Sequence, residues 1–205
     1  MITGGGDVGN HESKNARTYV ENSNIKITDG TIINPEIFGG GAVFADTSNS
    51  SHVDSSNITI ESGVITGNVS MRTDGLYGGG FAGGGMVDVD SASININGGE
   101  INNTFIYGGG DAENGESNVG KSSITVNDGN IASEIVGGGL TFGQNSKAHV
   151  GSTEITINGG NLSGKAIPGY RPHIYGGGQA QGGESNVDSA TITVNGGVFA
   201  SDVGS

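Results

Sequence analysis

A block of apolar and polar positions recurs six times along the chain without a change in length. Counting from Val20, Val53, Val89, Val119, Val150 and Val187, the fifth residue on is Ile25, Ile58, Ile94, Ile124, Ile155 or Ile192. Seven on stand Ile27, Ile60, Ile96, Val126, Ile157 and Val194. Ten on the residue is always Gly: Gly30, Gly63, Gly99, Gly129, Gly160 and Gly197. Twelve on come Ile32, Ile65, Ile101, Ile131, Leu162 and Phe199. Small residues three on (Ser23, Ser56, Ala92, Ser122, Thr153, Ala190) extend the two-residue alternation, which predicts a strand with one face inward. Asp29-Gly30, Asp128-Gly129 and the Gly-Gly pairs at 98–99, 159–160 and 196–197 supply tight-turn chemistry, because Gly adopts positive φ without a steric penalty.

Between these blocks, Gly triplets stand at 4–6, 39–41, 78–80, 108–110, 137–139 and 176–178, at intervals of 29 to 39 residues. Each follows an aliphatic residue two positions earlier: Ile2, Ile37, Leu76, Ile106, Ile135 and Ile174. Self-similarity at this period indicates a solenoid, propeller or array. The variation in length falls only between triplet and Val and between the twelfth position and the next triplet, at corners where loops leave a stacked core undisturbed. A propeller needs about four antiparallel strands in 40–45 residues, which the shorter periods cannot hold. The pattern predicts a right-handed parallel β-helix, since about 98% of parallel crossovers have that hand. Three short strands per coil are expected, in repeats spanning about 1–36, 37–75, 76–105, 106–134, 135–173 and 174–205 of one domain. The chain opens at one triplet and closes where another would begin, which suggests a piece of a longer array with end-to-end association through bare coil edges.

Composition narrows the function. Gly makes up 42 of 205 residues and Pro 3, neither the period nor the proline content of collagen. The formal net charge of −13 disfavours nucleic acid, and the eight basic residues form no cluster. No apolar run reaches the 18 residues of a membrane span, and Met1–Gly6 is not a signal peptide. The absence of Cys does not fix a compartment.

The segments Ile106–Gly110 with Glu116–Gly129, and Ile174–Gly178 with Glu184–Gly197, carry an Ile-Tyr-Gly-Gly-Gly … Ser-Asn-Val … Ile-Thr-Val-Asn-Gly-Gly pattern. This pattern resembles the β-helical repeats of large bacterial and archaeal cell-surface, adhesin-like proteins, and the resemblance covers the whole chain. It implies an extracellular, cell-surface location and a stalk or binding role, without identifying a ligand.

Candidate chemistry is sparse. The residues before the triplets form a ladder, Thr3, Phe38, Tyr77, Tyr107, Val136 and Tyr175, whose aromatic members could offer a platform to a glycan or could stiffen one wall. Acidic residues follow the Val column at Glu21, Asp54, Asp90 and Asp188. Asp88, Asp90, Asp111 and Glu113 are the calcium candidates, as oxygen donors near one another in sequence. No other cofactor is expected. Asn97, Asn127, Asn158 and Asn195 would bond along the helix axis at a turn.

An enzyme on this fold would need paired carboxylates, or a base with positive charge, in one coil. Arg17, Arg72 and Arg171 lie in different coils, while His52 and His149 share a column about 14 Å apart. The reading is therefore a non-catalytic surface solenoid displaying loops 42–52, 66–77 and 163–175 to glycan or host matrix protein. Its alternative is a polysaccharide lyase or glycosidase acting from corner loops or from outside this segment.

Overall fold

The computed structural model describes residues 1–9, 14–44, 47–68, 74–162 and 173–199. Among these residues every regular element is a β-strand, and the strand pairs are parallel. The strands stack into four six-stranded sheets, each holding one strand from every coil in chain order. The chain is a β-solenoid. Among the described residues no helix is long and apolar enough to cross a membrane.

Each coil has four strands rather than the three expected. The additional one follows the Gly triplet: Asp7–Val8, Ala42–Val43, Phe81–Ala82, Asp111–Ala112, Leu140–Thr141 and Gln179–Ala180. Two residues are too short to show alternation in the sequence, so only pairing between coils reveals this strand. The strand before the triplet (Ile2–Thr3, Glu36–Phe38, Gly75–Tyr77 and their successors) and the one after the turn (Thr31–Ile33, Val64–Thr66, Glu100–Asn102 and theirs) lie where the pattern placed them.

The third strand is longer than the pattern suggested, eleven residues in every coil, as in Ser50–Ile60 and Met86–Ile96. Its alternation changes phase once. In Ser50–Ile60 the inward residues are Ser51, Val53, Ser56, Ile58 and Ile60, while Asp54 and Ser55 both face outward. The ladder skips the residue after Val at this point: Val53 pairs with Val89 and Ser55 with Ser91, with no pairing of Asp54 to Asp90. The same skip recurs between every pair of coils, so the irregularities stack.

The main core is built from the columns the sequence marked: Ile58, Ile60, Ile65, Ile37 and their counterparts in the inner coils are buried against one another, while Ile192, Val194 and Phe199 of the last coil are exposed. Beside it the solenoid is too thin for side chains from both walls, and there the triplets run. A Cβ on Gly40 would stand 2.8 Å from Val89 Cγ2, and one on Gly79 2.9 Å from Val119 Cγ2. Ser56 Oγ donates to Gly78 O at 2.7 Å, tying the small-residue column to the triplet wall of the next coil. The turn glycines Gly30, Gly63, Gly99, Gly129, Gly160 and Gly197 have φ between 89° and 114°, as the turn chemistry requires.

Strands take up part of each expected loop. Ala42–Val43 and Ser50–Ile60 leave only 44–49 of the first loop, and Gly75–Tyr77 and Ile174–Tyr175 trim the other two. Residues 45–46, 69–73 and 163–172 of the three expected loops lie outside the described residues.

Candidate functional site

The aromatic ladder exists as a stack. Phe38 and Tyr77 lie 4.7 Å apart between centroids, and Tyr77 and Tyr107 5.0 Å, with planes inclined by 16° and 9°. Its outward platform does not exist over this stretch. Phe38, Tyr77 and Tyr107 are at most 2% exposed. They are covered by a second aromatic layer of Phe81, Phe105 and Phe142, packed with Val136 and Leu140. Residues of the strands before the triplet (Phe38, Tyr77, Tyr107, Val136) and after it (Phe81, Leu140) pack into one cluster, and these rings fill the corner between the two strands. Burial holds the Tyr77 hydroxyl well above the ordinary phenol range, with the charge of Asp111 adding to the effect. Tyr175 differs: it is 42% exposed and stacks on His173 at 5.6 Å.

The same corner buries an acidic group. Asp111 is fully buried, and neither carboxylate oxygen has a hydrogen-bond partner. Burial raises its pKa to about 8, helped by the nearby carboxylates of Glu113 and Glu36. A carboxyl sealed this way can touch no substrate. Next to it in the fold, Tyr107 Oη donates to Gln179 Oε1 (2.8 Å), and Gln179 Nε2 donates to Glu134 Oε2 (2.8 Å). Glu134 Oε1 in turn lies 3.6 Å from His173 Nδ1. This chain bridges the fourth to sixth coils. The sequence holds no signal for it, because its members come from three different columns.

The expected amide ladder is present. Asn127 Nδ2 donates to Asn97 Oδ1, Asn158 Nδ2 to Asn127 Oδ1 and Asn195 Nδ2 to Asn158 Oδ1, each at 2.8 Å. Asn97 Nδ2 continues it to Glu61 Oε2 (3.0 Å). Glu61 is held below its usual range by that bond first and by Lys26 (3.1 Å) second.

Of the four calcium candidates, only Asp90 is gathered into a group of possible ligands among the described residues, and its companions are His52 and Asp54. Asp88 instead accepts from Asn118 Nδ2 (2.9 Å), and Asp111 is sealed in the corner. The stacked phase change makes the new group. His52 precedes the inward Val53 and Asp54 follows it, so both side chains project outward, and Asp90 rises beside them from the next coil. His52 Nε2 lies 3.0 Å from Asp54 Oδ1 and 3.7 Å from Asp90 Oδ2. Tyr19, one coil back, stacks on His52 (5.8 Å, 6°) and donates its hydroxyl to Asp54 Oδ2 at 2.6 Å. That bond is the main reason the Tyr19 pKa is pushed up to about 12, ahead of desolvation and the neighbouring acids. The sequence showed the His and the acidic columns separately. Their closeness follows from the skipped residue, which a strict two-residue period conceals.

No protein-family model, curated protein or solved structure matches this chain.

Proposed function

We propose that this chain is a load-bearing segment of a non-catalytic surface rod, which holds its corner loops away from a cell for contact with glycan or matrix protein. The observation that carries the reading is the axial continuity of the solenoid: four parallel ladders cross all six coils with the same pairing at each step. A solenoid of this kind adds length by stacking, and each coil is held chiefly by its neighbours. The resemblance of its Ile-Tyr-Gly-Gly-Gly and Ile-Thr-Val-Asn-Gly-Gly segments to surface adhesin repeats supports a place outside the cell. The non-catalytic reading is supported by the candidate acids, since the carboxyl with the raised pKa is buried out of reach.

The test is incubation of the purified chain with immobilised glycans and matrix polymers, scoring retained protein and released oligosaccharide together. Retention without release, weakened by Tyr175→Ala, is the expected result. Released oligosaccharide overturns the non-catalytic reading. Absence of both retention and release removes the display role and leaves a spacer.

A further inference from the structure

We propose that His52, Asp54 and Asp90 form a binding site for a divalent transition ion of the zinc type, clamping the second coil to the third. The donor set is one imidazole nitrogen and two carboxylate oxygens, each from a different side chain, all within 4.8 Å of one another. With metal–ligand bonds of about 2.0–2.2 Å, tetrahedral ligand atoms stand about 3.2–3.6 Å apart. The distances of 3.0 and 3.7 Å from His52 Nε2 to the two carboxylates bracket that spacing.

Hydrogen bonding alone leaves this arrangement unbalanced. A single imidazole N–H cannot serve both carboxylates, so one faces the other's negative charge in a chain of net charge −13. A cation between the three groups removes the repulsion. Imidazole with carboxylate selects zinc-like ions over calcium, which favours oxygen donors alone.

The surroundings are those of a ligand set held in place. Asp54 Oδ2 is taken by the Tyr19 hydroxyl, which leaves Oδ1 as the oxygen facing His52. The Tyr19 ring fixes the plane of the imidazole. Asp88, the register partner of His52, is turned away to Asn118 and stays out of the set. His52 and Asp54 are each 38% exposed at the side chain and Asp90 67%, so a fourth position stays open to water.

Three coils further on, the structure repeats the arrangement with one ligand missing. His149 Nε2 lies 3.1 Å from Asp188 Oδ1 of the following coil, as His52 faces Asp90, but Gly151 stands where Asp54 would be. Two ligands do not make the site, so the described residues should hold one ion.

Calorimetric titration of zinc chloride into the full chain tests this. One ion per chain is expected, with affinity lowered at least tenfold by His52→Ala and by Asp90→Asn, and about tenfold by Tyr19→Phe, which keeps the stacked ring but removes the bond to Asp54. His149→Ala should bind as the parent does. X-ray absorption at the zinc edge of the unmutated chain should show imidazole in the coordination shell, a readout that no folding defect can imitate. Failure of the parent to bind zinc, binding unchanged by His52→Ala, or a shell of oxygen alone would each overturn the proposal.

Discussion

The backbone of Gly109 passes so close to that of Gly139 that a Cβ on Gly109 would stand 2.6 Å from the Gly139 nitrogen. This contact between successive coils is what the middle triplet glycine permits: it lets the triplet wall stack coil on coil, backbone against backbone. Gly109→Ala should therefore destabilise the chain by about 2 kcal/mol or more, since neither backbone can yield without breaking the ladder. Gly177→Ala is the matched control, because a Cβ there meets nothing within 4 Å. Urea unfolding of both variants checks the pair, and equal losses would refute the close-approach role.

Asp111 predicts an unusual pH dependence. Its pKa is about 8 in the folded chain, against an ordinary carboxyl value of 3.8. Below about pH 4 both states hold the proton, and this group contributes no slope. Between about 4 and 8 the unfolded chain releases its proton while the folded chain keeps it, so stability falls as pH rises, and above about 8 the loss is complete. Asp111→Asn should abolish that slope and stabilise the chain by on the order of 4 kcal/mol at pH 7. Denaturation midpoints for both proteins at pH 5, 7 and 9 read the effect, and parallel curves would contradict it.

Removing the Tyr77 ring opens a cavity between Phe38 and Tyr107 in the filled corner. Tyr77→Ala should cost about 3–5 kcal/mol. Any loss of glycan retention in that variant should follow its loss of folded protein, whereas Tyr175→Ala should alter retention with an unchanged melting temperature. A Tyr77→Ala protein that melts like its parent would show that the corner is not packed.

Asn127 is the centre of the amide ladder, donating to Asn97 and accepting from Asn158. Asn127→Ala removes both bonds from an exposed turn, so a loss of about 1–2 kcal/mol is expected in chemical denaturation. A neutral substitution would mean that water replaces the ladder without penalty.

The coil architecture was legible because its inward columns are aliphatic at fixed spacing, from Ile58 and Ile60 to Ile65, and because Gly63 and its counterparts must take positive φ. What stayed hidden had no period. The two-residue strand Asp111–Ala112 and its counterparts are too short to alternate. The burial of Tyr77 depends on Phe81, Phe105 and Phe142, which occupy unrelated positions in the repeat. The meeting of His52 with Asp90 depends on one skipped residue in each long strand, visible only once the ladder is drawn.

The most direct test of a load-bearing rod is single-molecule extension of the chain from its two ends. Stacked coils joined chiefly to their neighbours should yield one after another, in steps that match coils of 29 to 39 residues. Each step should lengthen the chain by about 10–14 nm, at about 3.3–3.6 Å per residue. A sawtooth of such steps is the predicted result. Smooth extension at negligible force, without steps, would contradict the account.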